Sequence, residues 1–277
     1  MLRRSIKSAL CQDYKMIEVI ISNNASTDRT QDICQEFSKK DHRVTVVTQT
    51  YNIGATANFA EVLKRASGEY FMWLGDDDWL DTSYVSHCVS LLKADANLSL
   101  VSGAPIYYQH GLKSYSGRLF DLLEESWAAR VARYYFMVTD NGMFYGIMHR
   151  KQLQQIFTTN AMGGDWHLIA NIVSTGKCKM STQVSVHREL GGATASYQQI
   201  AKSLGLPAYQ ATFPMTTIAF GAFKNIIISG SAYKKRNIYV RVILACVVFS
   251  LVIAKSTFGY LGKAKRFFKR TLSFLSI

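Results

Sequence analysis

Apolar runs and amphipathic stretches alternate along the first hundred residues. Runs of β-branched residues at 17–22 and 43–48, and an apolar run at 69–74, predict buried strands. Apolar positions at helical spacing predict helices at 2–10, up to residue 40, at 55–66 and at 82–94. Strands separated by helices of this length indicate βαβ units and a parallel sheet, with ligands at the carboxyl ends of the strands.

The pattern is less regular in the middle of the chain. It predicts further strands at 98–101, 143–148 and 179–186, and helices at 150–157 and 163–174.

The C-terminal stretch has a different pattern. Residues 242–254 carry no charge, but these 13 residues are short for a membrane span of about 20. Residues 258–277 mix Phe and Leu with Lys and Arg, which is typical of a basic amphipathic helix at a membrane surface. The alternative is a core helix followed by a solvated basic helix.

Composition sets bounds on the class of protein. The 277 residues are enough for one large domain, or for one domain plus a tail. Charge is uneven, since residues 101–277 carry 21 Lys and Arg against 6 Asp and Glu, and residues 201–277 carry 12 against none. This predicts an anionic partner such as phospholipid or a polyphosphate. We expect no nucleic acid, because no nucleic-acid-binding motif accompanies the charge.

Five scattered cysteines without a CxxC pair argue against a disulfide framework or a zinc site and fit a reducing compartment. The start at Met1 leads directly into a helical pattern, with no apolar region typical of a signal peptide. We therefore expect a cytoplasmic protein, peripheral on the inner face of the membrane if the tail binds lipid.

Three consecutive carboxylates, Asp76, Asp77 and Asp78, follow the predicted strand at 69–74. Such groups repel one another and raise one another's pKa. Their position at a strand end indicates a hard divalent cation, which binds carboxylate oxygens and bridges to phosphate. The alternative is a solvated acidic turn that caps the next helix.

Ordered fragments along the chain resemble the family 2 glycosyltransferases, which have the GT-A fold. The fragments are residues 22–28, 52–54 with 58, 68–70, 75–79, 163–166 and 187–188. The resemblance implies an α/β fold whose mixed, mainly parallel sheet is flanked by helices, with a helical basic C-terminal tail. It implies a nucleotide-sugar-binding half at 1–105, an acceptor-binding half at 106–200 and the tail at 201–277.

The resemblance also implies roles for individual residues. Asp78 and His187 would bind Mn²⁺ or Mg²⁺, and Asp165 would be the catalytic base that deprotonates the acceptor. The implied donor-binding residues are Asn23, Asn24, Asn52, Gly54, Asn58, Asp76, Asp77 and Arg188. The alternative interpretations from the residues alone are an N-cap for Asp165 and a structural role for His187.

The implied activity is that of an inverting, metal-dependent, hexosyltransferase-like enzyme. It would move a sugar from a nucleotide-diphosphate donor to a saccharide or lipid-linked acceptor in polysaccharide, lipopolysaccharide or glycolipid synthesis. Two departures motivate an alternative, an impaired remnant that binds membranes or partners. Relatives begin with a strand that this sequence lacks, so a neighbouring strand would have an unpaired edge. Asn23 also stands where the family has Asp.

Overall fold

The computed structural model describes residues 1–156, 160–191 and 196–274, with side chains described as far as Ser256 in the last helix. The helices are α1 Leu2–Leu10, α2 Thr30–Lys40, α3 Ala55–Arg65, α4 Tyr84–Ala94, α5 Trp127–Met137, α6 Arg150–Gln154, α7 Gly164–Thr175, α8 Tyr197–Ser203, α9 Ala208–Thr212, α10 Pro214–Lys224 and α11 Ile238–Phe274. The strands are β1 Val19–Asn23, β2 Val44–Thr48, β3 Tyr70–Phe71, β4 Trp79–Leu80, β5 Leu98–Gln109, β6 Leu112–Ser116, β7 Ile147–His149 and β8 Lys177–Glu189.

The described strands form two separate sheets. The larger has the order β3-β7-β5-β8-β4, with β6 added on β5, and its longest contact is the parallel pair β5 and β8. The smaller contains only β1 and β2, which are parallel. Within the described residues no strand joins the two sheets, so one edge of β1 has no strand partner there.

The sheet is mixed and mainly parallel, as predicted, since the two longest pairings, β1–β2 and β5–β8, are parallel. The shorter pairings β3–β7, β4–β8, β5–β6 and β5–β7 are antiparallel. The β5–β6 hairpin turns at His110 (φ 53°) and Gly111 (φ 78°). Two positive φ angles are typical of the tight turn that joins antiparallel strands.

The predicted strand at 143–148 is only partly a strand. Residues Gly142–Tyr145 form a buried 3-10 turn, and the strand is confined to β7. Close packing explains the turn, because a Cβ on Gly142 would lie 2.6 Å from Pro105 Cγ. The strand predicted at 69–74 pairs only over β3, and of the helix predicted at 150–157 only α6 forms, while residue 157 lies outside the described residues.

The main core lies between the larger sheet and helices α5, α7, α10 and α11. Helix α7 runs through it, with every residue from Trp166 to Ser174 buried. A helix that is buried on all sides is held in place by its neighbours, so the position of its first turn is fixed as well. A separate small cluster, Ile6, Phe37 and Val44, joins α1 and α2 to β2.

Helix α11 contains the charge-free run. Its segment Ile238–Ser256 is long and apolar enough to cross a membrane by length and composition, and 28% of that window is buried within the protein. The alternative of a core helix therefore applies only to the buried stripe of α11 and not to its exposed side. The basic side chains predicted to form an amphipathic surface at 258–277 lie outside the described side chains.

Candidate active site

The acidic triplet forms a tight turn between β3 and β4. The amide of Asp78 donates to the carbonyl of Gly75 at 3.3 Å, and a Cβ on Gly75 would lie 2.7 Å from Asp78 Oδ2. Asp76 is exposed, Asp77 half-buried and Asp78 only 2% exposed. Burial, with the charges of Asp78 and Asp76, raises the pKa of Asp77 to about 6. Uncompensated negative charge therefore collects at this turn.

Helix α1 holds the acidic turn from outside. Ser5 Oγ donates to the Gly75 carbonyl at 2.8 Å, and Arg4 Nη2 donates to the Asp77 carbonyl at 3.0 Å. The Arg4 guanidinium also lies 3.3 Å from the centre of the Trp79 ring. The helix therefore fixes the backbone of the turn through its carbonyl groups, and none of the described hydrogen bonds of the helix reaches the carboxylates of the turn.

Arg188, near the end of β8, is the cation beside the turn. Its Nε lies 3.8 Å from Asp78 Oδ2, which is too long for a hydrogen bond. Its Nη1 donates to Tyr107 Oη at 2.9 Å and to the Asp140 carbonyl at 3.3 Å. Nε is buried without a hydrogen-bond partner among the described groups. Burial raises the pKa of Asp78, and the positive charge of Arg188 opposes that rise.

Asp165 lies in the first turn of α7 and is exposed to solvent. Many protein atoms nevertheless surround its carboxyl group. It therefore occupies the floor of a recess. The crowding raises the pKa of its carboxyl, while the Asn141 amide and the Trp166 backbone N–H act in the opposite direction. The N-cap interpretation of Asp165 is wrong, since Gly163 holds that position with a φ of 74°.

Asn141 fixes the orientation of the Asp165 carboxyl. Its Nδ2 donates to Asp165 Oδ2 at 2.8 Å, and its Oδ1 accepts from Tyr134 Oη at 2.8 Å. Asn141 has a φ of 48° and a ψ of 44°, a left-handed conformation that Asn tolerates better than most residues. Two fully engaged amide atoms hold one carboxylate oxygen in place.

A short path connects the acidic turn to this recess. Arg188 approaches Asp78 with Nε and donates to the carbonyl of Asp140 with Nη1. The next residue, Asn141, donates to Asp165. Residues far apart in sequence thus form one continuous site, with the cation of Arg188 between the acidic turn and the single carboxylate of Asp165.

His187 is placed differently from the prediction of a metal ligand. Its Nε2 lies 2.8 Å from Asp81 Oδ1 and its Nδ1 lies 3.1 Å from Tyr108 Oη. Its ring stacks on Trp79 with centroids 5.1 Å apart. Both nitrogens are therefore engaged, which favours the structural interpretation, and its metal role stays a prediction.

The predicted donor-binding asparagines form a network of their own at the carboxyl ends of β1 and β2. Asn24 Nδ2 donates to Asn52 Oδ1 at 2.9 Å, and Asn58 Oδ1 accepts from Ser22 Oγ at 2.6 Å. Asn23 is 3% exposed, and its side chain bonds to Gln31 and to the Ser26 amide. Among the described hydrogen bonds none joins this network to the acidic turn.

Gly54 belongs to the same network. It precedes α3 with a φ of 83°, and its amide donates to Asn52 Oδ1 at 2.9 Å. A positive φ favours Gly at this position.

The Tyr145 ring also belongs to the site, since its centre lies 4.3 Å from the Arg188 guanidinium. Sequence reasoning missed five residues of the site: Arg4, Tyr107, Tyr134, Asn141 and Tyr145. Only Asn141 had a visible signal, since residues 140–142 read Asp-Asn-Gly, a typical tight-turn sequence. The tyrosines lie in apolar runs where they cannot be told from core aromatics.

Comparison with known proteins agrees with this fold. The profile described as Glycosyl transferase family 2 matches residues 1–157. The chain belongs to this family and is a glycosyltransferase.

Two relatives with assigned names are similar to part of the chain. Glycosyltransferase GlyA of Streptococcus pneumoniae is 29% identical over 60% of this chain and 25% of its own length. The GalNAc(5)-diNAcBac-PP-undecaprenol beta-1,3-glucosyltransferase of Campylobacter jejuni is 29% identical over 56% of this chain and 49% of its own length. The matched part of the chain thus spans about half of these relatives or less.

Solved structures show that the fold is GT-A. Staphylococcus aureus TarS 1-349 in complex with UDP-GlcNAc superposes with a TM-score of 0.62 and 12% identity, over 91% of this chain and 69% of that one. The mannosyltransferase PcManGT of Pyrobaculum calidifontis, in complex with GDP-Man and Mn2+, gives a TM-score of 0.56 and 15% identity over 92% and 71%.

Proposed function

We propose that this chain transfers a sugar, with inversion, from a nucleotide-diphosphate donor to a hydroxyl group of a saccharide or lipid-linked acceptor. The observation that carries the proposal is the position of Arg188 between the acidic turn and the Asp165 recess. One end of the site collects negative charge for a cation and a diphosphate. The other end presents a single oriented carboxylate to solvent.

Asp165 is the base in this proposal. It removes the proton from the acceptor hydroxyl, whose oxygen attacks the anomeric carbon from the side opposite the diphosphate. The new C–O bond forms as the bond from the anomeric carbon to the phosphate oxygen breaks, and the nucleoside diphosphate leaves with the electron pair. Arg188 is a permanent cation that stabilises the charge developing on this leaving group.

The residues of the acidic turn fit a divalent cation. Their donors are hard carboxylate oxygens, and burial, together with the charges of Asp78 and Asp76, raises the pKa of Asp77. Mg²⁺ is commonly bound by one or two carboxylates, with water and substrate phosphates as further ligands. Asp78 would hold the ion, Asp76 would face the nucleotide and Asp77 would support the turn. The bound ion would supply Lewis-acid stabilisation of the diphosphate.

The proposed acceptor and location follow from the relatives. The Campylobacter relative is named for an undecaprenol-diphosphate-linked acceptor. With an acceptor of this kind, we propose that the enzyme works at the cytoplasmic face of a membrane. We do not favour the impaired remnant, because the acidic turn, Arg188 and Asp165 lie together in one candidate site.

Titration calorimetry with UDP and GDP, with and without Mn²⁺, tests the proposal. We expect metal-dependent binding that Asp78→Asn abolishes and Asp165→Asn leaves intact, whereas sugar transfer is lost in both variants. Asp32→Asn, an exposed carboxylate on α2, is the matched control and should change neither. Full transfer by Asp78→Asn would exclude the metal role. Loss of both binding and transfer in Asp165→Asn would make that residue structural.

A further inference from the structure

The exposed side of helices α10 and α11 forms an apolar surface that the active site does not use. On α11, Val242, Ile243 and Val247 are 45%, 65% and 44% exposed. On α10, Phe220 and Phe223 are 61% and 36% exposed. Large apolar side chains grouped in this way mark an interaction surface on a folded protein.

Phe249 makes the surface continuous across the two helices. Its ring centroid lies 5.0 Å from that of Phe220 and 6.5 Å from that of Phe223. Val242 and Cys246 precede Phe249 by seven and three residues, and so share its side of α11. We call this surface the α10–α11 face.

Basic residues border the α10–α11 face. Lys224 directly follows Phe223, and Lys234 and Lys235 lie just before the start of α11, all three exposed. No acidic residue occurs in the sequence from 201 to 277. An apolar centre with a rim of one positive sign matches an anionic phospholipid surface, which offers hydrocarbon beneath negative headgroups.

Helix α11 is held along the protein and not across a bilayer. Its inner stripe packs into the main core, with Leu244 at 4% and Val248 and Val252 at 0% exposure. Arg241 near its start bonds to the Ile226 carbonyl, and Lys255 donates to the Val138 carbonyl at 2.5 Å. Moving this segment into a membrane would require breaking the core.

We infer that the α10–α11 face docks this chain onto an anionic lipid surface, with α11 lying parallel to the membrane plane. The inference rests on the proposed function and deepens it, because docking on lipid would bring the Asp165 recess near a lipid-linked acceptor. The same Lys255 that fixes α11 lies over Trp166, next to Asp165, at 5.2 Å from the ring centre. The docking helix and the helix that carries the base are thus in direct contact.

Vesicle sedimentation of the full chain tests the inference. We expect binding to POPC vesicles containing 25% POPG, and a loss of about tenfold or more in Phe220→Ser/Ile243→Ser, since each buried apolar side chain stabilises insertion. Lys234→Gln/Lys235→Gln should lose binding chiefly at low salt. Leu112→Ser is the control for the apolar substitutions, since Leu112 is 76% exposed on the β5–β6 hairpin, away from the α10–α11 face. Lys93→Gln, at an exposed lysine on α4, is the control for the lysine substitutions.

Each other outcome overturns the inference. Equal binding by the Phe220→Ser/Ile243→Ser variant would exclude the face, and no binding by the wild type would exclude lipid. A dimer in light scattering that this variant disrupts would assign the face to a second copy. Resistance of the wild type to alkaline extraction from membranes would show a spanning helix. We expect UDP titration to be unaffected by these substitutions, because none of them lies in the candidate active site, so failure here is separable from failure of the proposed function.

Discussion

Asp77 shows how the site reduces stability at the scale of one residue. Its folded pKa of about 6 lies above the usual 3.8, so the folded state binds more protons than the unfolded state between these values. The free energy of unfolding therefore falls as pH rises through this window, and the cost is fully present above pH 6.

We predict that Asp77→Asn stabilises the protein at pH 7.5 by about 1–2 kcal/mol and has little effect at pH 4, because the neutral amide avoids burying a charge and avoids the repulsion from Asp78 and Asp76. Urea unfolding of the two proteins at both pH values measures the difference. The inverse trend, or a pH-independent change, would contradict the assigned cause. Added Mn²⁺ should stabilise the wild type more than the variant.

Asn141 offers a second residue-scale prediction, on the pH dependence of the base. Asn141→Asp keeps the left-handed conformation accessible but puts a second carboxyl beside Asp165 and removes a donor. The pKa of Asp165 should rise, so the acidic limb of the kcat profile should move up by about one pH unit.

The pH–rate profile, with melting temperature as a check, decides whether Asn141 positions the base. Tyr134→Phe, which removes only the hydroxyl bonded to Asn141, should shift the limb in the same direction by less. If both variants lower the melting temperature and leave the pH profile unchanged, Asn141 has a purely structural role.

At the scale of elements, α1 is the support of the acidic turn. We predict that Ser5→Ala/Arg4→Met weakens Mn²⁺-dependent UDP binding by about fivefold or more, because a lost hydrogen bond costs ~1 kcal/mol in holding the turn. Titration calorimetry measures this loss. Arg3→Met on the same helix is the control, since Arg3 pairs with Glu36 at the surface. Equal affinity of all three proteins would show that the turn holds itself.

The sequence predicted the helices of the first hundred residues well, for a physical reason. Helix α1 has the predicted bounds 2–10, and α3 ends one residue before the predicted end at 66, because helical periodicity is a local property. Strand partners and direction depend on contacts between distant residues. The β5–β6 hairpin was therefore missed, and β5 and β8 are longer than predicted.

The site shows the same division. The residues that touch across the site, such as Arg188 and Asp140, are distant in sequence, and no local pattern joins them. Asp165 and Arg188 were predicted from the family resemblance, whereas Asn141 and Tyr107 became visible only in the structure. His187 illustrates the converse, since its stacking on Trp79 has no trace in the sequence.

For the whole molecule, the break between the two sheets predicts uneven stability. Strand β5 lies between two others, while β1 pairs only with β2 among the described strands and is supported by the small cluster of Ile6, Phe37 and Val44. Regions with few buried contacts open locally before the whole protein unfolds. Native-state hydrogen exchange should show β1 and β2 opening at a lower free energy than β5 and β8. Exchange of all four strands at one free energy would contradict this.

The sheet break also gives nucleotide binding a thermodynamic signature. The asparagine network that the sequence predicts for donor binding lies at the ends of β1 and β2, so a donor held there would select the ordered form of this weakly supported part. Donor binding would then be coupled to the ordering of β1 and β2. This ordering would bury apolar surface that is in contact with water before the donor binds. The heat capacity change of donor binding would accordingly be more negative than a rigid pocket gives, and the affinity would weaken steeply on warming.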